Sequence, residues 1–355
     1  MRSRTFSPPA WSLDGRASSR DPLRLLGTAV VIVSLLLGQA ISAPAPAGVA
    51  RDSGKNGWWA TDWSSTDGSG FFGNPTPLSG PSATSRIVIR YTRYATEYDV
   101  VFHAPVWGCY TLDATAVQNE ASGKRTSGNP DFKRPGGFFA EPLVVTESKR
   151  LGVPAANDDT FTNIMDPRYP PMKATEDPAA IQPGPMVPNH AMKSTGTYEE
   201  GRTAQRESFS VANIVPQMAL NRSPSWAALE DACFTWAKEL GQIWIIVGPI
   251  FNNPKKPTFA QNRKTREQEI VPCPDHLYYV VIGKRAGKLS AIAFLMPHVP
   301  KEIDFRKNAV PVSKIQALTR LNFMPDLGES NTVETTYDPA WLKQVAKLAH
   351  RDAEE

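Results

Sequence analysis

The order of apolar and polar residues along the chain predicts a domain that mixes strands with helices. Apolar and polar residues alternate at residues 86–91, as they do in a strand with one buried face. A second and a third strand are predicted at residues 98–102 and 106–112. Further strands are predicted at residues 243–251, 271–272, 277–282 and 289–296.

A long amphipathic helix is predicted in the middle of the chain. Its apolar stripe recurs at spacings of three and four residues and consists of Trp226, Leu229, Cys233, Trp236 and Leu240. Ser223 suits the N-cap, and Pro224 suits the first helical position, where its missing N–H costs nothing. Glu230 lies at the edge of the stripe. A shorter helix is predicted at residues 310–321, and residues 336–355 form a charged C-terminal helix or tail.

Three amide side chains, Asn213, Gln217 and Asn221, stand just before this helix. Amides are poor core residues, because a buried polar group needs a hydrogen-bond partner. Three of them beside a well-anchored helix therefore indicate a polar site. The N-terminus of the helix would also attract an anion such as a phosphate.

The N-terminal residues are predicted to precede the folded domain. Residues 1–47 have the pattern of an export signal, in which arginines precede an apolar run and Ala45-Pro46-Ala47 supplies a cleavage site. An uncleaved signal anchor is the alternative, although the run is shorter than the about 20 residues of a spanning helix. Residues 48–85 are rich in Gly, Ser and Pro and predict a linker. We therefore expect a secreted or periplasmic protein without stable membrane association after signal cleavage.

Composition and charge bound the function only loosely. The chain has 355 residues, of which 41% are hydrophobic, so it can bury a substantial core. Its net charge of +4 permits a nucleic-acid partner and equally suits an ordinary, slightly basic domain. The three cysteines, Cys109, Cys233 and Cys273, match no zinc pattern. Cys233 belongs to the helix stripe, and the pairing of Cys109 with Cys273 stays open.

The stretch ANIVPQMALNRSPSWAALED, residues 212–231, resembles a segment of the DNA/RNA non-specific endonucleases, the ββα-metal or His-Me finger nucleases. We assign the domain to residues 86–335. The resemblance implies an α+β fold with a mostly antiparallel central sheet flanked by helices. It implies that Asn221 holds a catalytic Mg²⁺ or Mn²⁺ ion. It further implies that Asn213 and Gln217 are active-site amides and that Glu230 lies near the metal-bound waters.

The segment before this stretch departs from the family pattern, which reads Asp-Arg-Gly-His. Here Gln182, Pro183 and Pro185 replace the Asp, the Arg and the His, and of the four only Gly184 is retained. A proline cannot accept a proton, so the usual general base is missing. His190 is the nearest titratable residue, and it is either a relocated base or a structural histidine.

Basic residues outside the central stretch are candidates for phosphate contacts. The family places a phosphate-contacting Arg in the loop that contains Arg125, with Arg134 as the competing candidate and a solvated basic loop as the alternative. Residues 255–266 form a second basic loop that could follow a phosphate backbone. Residues 150–185 predict a long loop rich in Pro, Asp and Thr.

These features lead to one function and one alternative. The first is metal-dependent, sequence-non-specific hydrolysis of DNA or RNA phosphodiesters, with activity impaired by the loss of the base at Pro185. The alternative is a catalytically inactive family member that binds nucleic acid or a protein partner. A homodimer follows from family analogy alone. The preference between DNA and RNA stays open.

Overall fold

The computed structural model describes residues 74–80, 82–169, 181–218, 225–325 and 332–346. The chain divides into two units, residues 1–43 and 44–355, and all described residues lie in the second. The predicted export signal and most of the predicted linker therefore lie outside the described residues. Where the chain is described, no helix is both long enough and apolar enough to cross a membrane.

The described residues form fourteen strands and seven α-helices. The strands are β1 (Thr76–Pro77), β2 (Arg86–Arg90), β3 (Tyr94–Asp99), β4 (Ala104–Asp113), β5 (Ile164–Met165), β6 (Ile181–Pro185), β7 (Ile214–Met218), β8 (Gln242–Ile250), β9 (Phe259–Asn262), β10 (Gln268–Pro272), β11 (His276–Arg285), β12 (Lys288–Pro297), β13 (Ala309–Val310) and β14 (Leu321–Asn322). The helices are α1 (Ala114–Ala121), α2 (Pro142–Leu151), α3 (Asn189–Ser194), α4 (Tyr198–Glu207), α5 (Ala227–Leu240), α6 (Val312–Thr319) and α7 (Ala340–Gln344).

Seven of these strands form the central sheet, in the order β13-β12-β11-β8-β4-β3-β2. Every neighbouring pair in it is antiparallel. β8 lies in the middle, where Val247 pairs with Gly108 of β4 on one side and with Tyr279 of β11 on the other. The expected mixed α+β architecture with an antiparallel central sheet is thereby confirmed.

The two faces of this sheet pack against different helices, because the side chains of a strand alternate between its faces. On β8, Ile245 belongs to one buried cluster and Trp244 to another. The first cluster includes the apolar stripe of α5, which is buried from Trp226 to Trp236 as predicted. The second cluster includes the buried side chains of α6. The long helix is therefore held against the middle of the sheet.

The prediction of a strand at residues 98–102 is wrong in its position. The strand is β3, which ends at Asp99, and the chain then turns into β4. The Asp99 carboxylate accepts hydrogen bonds from the backbone N–H groups of Val101 (3.2 Å) and Phe102 (3.1 Å), and His103 adopts a φ of 57°. The apolar residues after Asp99 thus form a turn stabilised by a carboxylate, which the alternation of residue types does not reveal.

Two further predictions are corrected by strand pairing. Residues 150–185 contain β5 and β6 and are not one continuous loop. β1 falls inside the predicted linker, yet Thr76 pairs with Asn322 of β14. Such short strands form because a distant partner satisfies their backbone hydrogen bonds, and sequence patterns do not identify that partner.

A buried ion cluster joins β5 to the start of β11. Asp166, directly after β5, is fully buried and accepts hydrogen bonds from Arg168 Nε (3.0 Å) and Nη2 (2.6 Å). Arg168 also contacts the Asp275 carboxylate through Nη1 and donates from Nη2 to the carbonyl oxygen of Pro274 (2.8 Å). Because a buried carboxylate must be paired, this cluster holds the small sheet β10-β9-β5 to the rest of the domain.

All three cysteines are free and buried. Cys109 lies in the core on one face of the central sheet, whereas Cys273 belongs to the cluster beneath the small sheet. The pairing that the sequence left open is therefore absent, and Cys233 is a core residue on α5, as expected.

Candidate active site

Strands β6 and β7 form an antiparallel pair, and α5 is the next α-helix along the chain. Pro185 lies opposite Ile214, and Gln182 lies opposite Gln217. β7 is buried along its whole length, while β6 is partly exposed. The residues that depart from the family pattern therefore lie on β6, the partly exposed strand. Asn213 and Gln217, the two amides that the resemblance assigns to the active site, lie just before β7 and near its end.

The predicted metal ligand falls between these elements. Residues 219–224 connect β7 to α5 and lie outside the described residues, so Asn221, Ser223 and Pro224 carry no structural description. What the structure does describe is the strand pair before this segment and the helix after it.

Asn213 braces the strand pair. It ends the 3₁₀-helix Val211–Asn213 and is fully buried. Its Oδ1 accepts a hydrogen bond from the N–H of Val187 (2.9 Å). Its Nδ2 donates to the carbonyl oxygens of Val187 and Ser208 (both 2.9 Å). Since every partner is a backbone group, this amide fixes the chain that leaves β6 against the chain that enters β7.

Gln217 has a different environment. Its side chain is buried, and among the described residues neither Oε1 nor Nε2 has a hydrogen-bond partner. The amide packs directly on Gly184, where an added Cβ would lie 2.0 Å from Oε1, so a larger residue there would displace the Gln217 side chain. Burying an amide without partners costs about 1–3 kcal/mol. Such a group in a native protein indicates water, an ion or a functional role at that position.

Glu230 lies in the first turn of α5 and is half-buried. Besides burial, the charge of its carboxylate raises the pKa of two buried groups. Burial, and then the charge of Glu230, raise the pKa of the Cys233 thiol. Burial, the Tyr110 hydroxyl and then Glu230 raise the pKa of Tyr279, whose hydroxyl lies 3.3 Å from that of Tyr110. Glu230 therefore places negative charge at the end of α5 that follows the undescribed segment.

His190 lies on α3 and faces a carboxylate from α1. Its Nε2 is 3.0 Å from Glu120 Oε1, which is close enough for an ion pair when the ring is protonated. The contact does not have the geometry of a hydrogen bond. Ser194 Oγ donates to the other carboxylate oxygen of Glu120 (2.9 Å). Burial opposes ionisation of Glu120, but His190, Ser194 and the charge of Lys193 outweigh it and lower the Glu120 pKa to about 2.

The same imidazole also contacts α5. The ring of His190 meets the ring of Phe234 edge to face, with centroids 5.0 Å apart. Phe234 stands four residues after Glu230, one helical turn along the same face. On the other side, His190 is three residues past Val187, which Asn213 binds, and three residues span at most about 11 Å. The fold thus brings His190, Asn213 and Glu230 into one region.

Arg125 does not present its guanidinium to solvent. The side chain is buried, and Nη1 donates to the carbonyl oxygens of Lys193 (3.0 Å) and Thr195 (3.1 Å), while Nη2 donates to that of Gly196 (3.1 Å). These carbonyls lie in the last turn of α3 and just after it, where helix carbonyls lack intrahelical partners. The geometry favours a helix-capping role over phosphate contact. Arg134, by contrast, is exposed and lies over the Phe209 ring, 5.2 Å from its centroid.

Two residues of this region had no signal in the sequence. Glu120 lies 70 residues before His190, on a helix that the apolar pattern did not predict. His298 is fully buried, and its Nε2 accepts a hydrogen bond from the N–H of Met218, the last residue of β7 (2.9 Å). Burial lowers the His298 pKa to about 4, so this histidine is neutral and can keep accepting the bond. Only the folded contacts reveal either role.

No group of three or more His, Cys, Asp or Glu side chains in the described ranges could hold a metal ion. The resemblance implies a different kind of site, in which one amide and several waters bind a hard cation that dehydrates reluctantly.

Comparison with known proteins identifies the class to which this fold and site belong. A family model described as DNA/RNA non-specific endonuclease matches residues 76–330, and the chain belongs to this family. The match begins at β1, inside the region that the sequence predicted as linker. The family identified from residues 212–231 is thereby confirmed.

Several curated relatives are distantly similar. Mitochondrial nuclease EXOG of Danio rerio is 24% identical over 248 residues, which cover 67% of this chain and 60% of the relative. The human protein of the same name is 24% identical over 273 residues, covering 72% and 61%. Mitochondrial nuclease 1 of Schizosaccharomyces pombe is 27% identical over 139 residues, covering 36% and 43%. The chain thus spans less than two thirds of the length of these relatives.

Proposed function

We propose that this protein is a metal-dependent, sequence-non-specific nuclease that hydrolyses phosphodiester bonds in DNA or RNA. In this proposal β6, β7 and α5 form the ββα-metal site of the family. The observation that carries the proposal is the buried Gln217 amide, which packs on Gly184 and has no partner in the part of the chain that the structure describes. A protein that needed only packing at this position would be more stable with an apolar side chain.

Asn221 and water molecules would hold the Mg²⁺ or Mn²⁺ ion of this proposal. The partnerless Gln217 amide fits such an ion, because its oxygen and N–H groups can bond to coordinated water. When bound, the ion polarises the scissile phosphate and stabilises the leaving oxygen.

The remaining roles belong to protein side chains. Asn213 holds the chain after β6 in register with β7 through its three backbone hydrogen bonds. Glu230 orients water on the α5 side of the site. His190 replaces the base that is lost at Pro185 and removes a proton from the attacking water.

Digestion of plasmid DNA and of single-stranded RNA tests this function. The full-length protein, free of contaminating nuclease, is incubated with Mg²⁺, with Mn²⁺ or with excess chelator. We expect nicking and linearisation without sequence preference when a metal is present, and none with chelator. Asn221→Ala, prepared in the same way, should lower the rate about 100-fold. Undiminished cutting by Asn221→Ala would contradict the proposed site.

The second candidate function is nucleic-acid binding without cleavage. The observation in its favour is Pro185, which stands where the family pattern has its general base. A salt-dependent gel shift without any cutting at high protein concentration would support this function and contradict the first. Exposed lysines of the basic loop, Lys255, Lys256 and Lys264, supply charge for either.

Location and assembly are part of the same proposal. The pattern at residues 1–47 supports export, and mass spectrometry of the mature N-terminus tests it. An N-terminus at or near residue 48 is expected, and an intact leader would contradict cleavage.

The family analogy supports a homodimer, which sedimentation analysis would test.

A further inference from the structure

The cluster formed by Glu120, His190 and Ser194 goes beyond the residues that the family pattern assigns. Three elements meet there: α1 supplies Glu120, α3 supplies His190 and Ser194, and α5 supplies Phe234. His190 is only partly exposed, with 22% of its side chain accessible, and Glu120 is similar at 28%. An imidazole held between a carboxylate and an aromatic ring has a defined orientation.

We propose that Glu120 is a positioning residue that holds His190 as the relocated general base of this chain. The inference rests on the proposed function, because it names the group that accepts the proton in that reaction. It is independent of the family pattern, whose base position is occupied by Pro185.

The geometry determines which nitrogen of His190 reacts. A carboxylate oxygen can only accept a hydrogen bond, so the neutral tautomer that suits Glu120 Oε1, 3.0 Å from Nε2, carries its proton on Nε2 and its lone pair on Nδ1. In the reaction, the water oxygen forms a bond to phosphorus and its proton moves to Nδ1. The bond from phosphorus to the leaving oxygen breaks, that oxygen keeps the electron pair, and solvent protonates it.

The negative charge of Glu120 also affects the proton transfer. A carboxylate beside the ring stabilises the imidazolium that forms when the proton is taken up. The buried Lys193 of α3 also acts on the Glu120 carboxylate, and Glu230 lies one turn from Phe234 on α5. Ser194 fixes the far oxygen of Glu120, so the near oxygen stays directed at His190.

The test compares kcat and KM for plasmid cleavage by the wild type, Glu120→Gln and His190→Asn. His190→Asn should lose about 100-fold in kcat. Glu120→Gln should lose about 10-fold in kcat with KM unchanged, because a misplaced base slows proton removal without weakening substrate binding. The double variant should be no slower than His190→Asn, since the two residues act as one unit.

Glu199→Gln is the matched control, because Glu199 is exposed and pairs with Arg202 at 2.6 Å. It should cleave like the wild type. If the wild type cleaves and Glu120→Gln keeps its kcat, or loses activity through KM alone, the positioning role is overturned while the nuclease function stands. If the wild type does not cleave with either metal, the nuclease function and the role of Glu120 are overturned together.

Discussion

At the scale of single residues, Gln217 is the clearest departure from what stability alone would select. The sequence marked it as one of three amides before a helix, and the family resemblance gave it a role. The structure adds that neither of its polar atoms bonds to any described residue and that Gly184 makes room for it. A residue that costs stability where it stands is the expected mark of a functional side chain.

Gln217→Leu is therefore expected to raise stability and lower activity. The leucine removes the unpaired amide, so the free energy of unfolding should rise by about 1 kcal/mol. Cleavage should fall at least 10-fold, roughly the effect of a lost outer-shell contact. Gln205→Leu is the matched control, because the buried Gln205 donates from Nε2 to the carbonyl oxygen of Phe132 (2.8 Å). Loss of this hydrogen bond should lower the free energy of unfolding of the protein. Equal destabilisation of both variants would contradict this account.

His298 predicts a pH dependence of stability. Burial lowers its pKa in the folded protein to about 4, from an ordinary value near 6.5. The unfolded chain therefore binds the proton first as the pH falls, and stability is lost between about pH 6.5 and pH 4. The loss should approach about 3 kcal/mol at the acid end of that window.

Thermal unfolding at pH 7 and at pH 4.5 measures this loss. The variant His298→Gln, whose amide oxygen can still accept the Met218 N–H, should show a smaller change in Tm between the two pH values. The change that remains belongs to other groups, including His103 and His276, whose pKa values burial also lowers. An identical change in both proteins would contradict a neutral, buried His298.

At the scale of elements, Arg125 and Arg134 are expected to have different roles, because Arg125 caps the end of helix α3 and Arg134 is exposed. Arg125→Ala removes three hydrogen bonds to carbonyls in the last turn of α3 and just after it, and should lower the free energy of unfolding by about 3 kcal/mol. The salt dependence of DNA binding should stay unchanged. Arg134→Ala should leave stability unchanged and reduce the salt slope by about 1 if that exposed guanidinium meets a phosphate. A reduced slope for Arg125→Ala would reverse this assignment.

Elements with a strong local signal were predicted well from the sequence. The stripe on α5 and the apolar runs of β8, β11 and β12 follow from residue types alone, because burial requires that pattern. The end of β3 was misplaced, since its signal is a side-chain bond from Asp99 to the turn. The short strands β5 and β6 depend on partners far along the chain, so no local pattern predicts them.

The residues of the candidate site also differ in whether a local sequence pattern predicts them. Asn213, Gln217 and Glu230 were predicted because they lie within one contiguous stretch that resembles a family segment. Glu120 was missed because its contact with His190 exists only after α1 and α3 pack together. Arg125 was predicted to contact phosphate because its position in the loop matched, and only the folded structure shows where its donors point.

At the scale of the whole molecule, the domain is held together by packing and a buried ion cluster, with no covalent link among its cysteines. All three thiols are buried and free, and burial is the first cause that raises each of their pKa values. A bridge between Cys109 and Cys273 would close a long loop and stabilise the fold by about 5 kcal/mol.

The midpoint of thermal unfolding should therefore be the same with and without a reducing agent. Thiol titration should find three free groups after unfolding and almost none before it, because every cysteine is buried. A clear fall in Tm on reduction would contradict the free state of Cys109 and Cys273.

The central claim is that an amide-based metal site between β7 and α5 cleaves phosphodiesters. The rate of plasmid cleavage as a function of Mg²⁺ concentration, measured side by side for the wild type and Asn221→Ala, tests it most directly. The account predicts a saturable, metal-dependent rate for the wild type and a rate about 100-fold lower for the variant at every concentration. A wild type that does not respond to metal, or a variant that matches it, would contradict the claim.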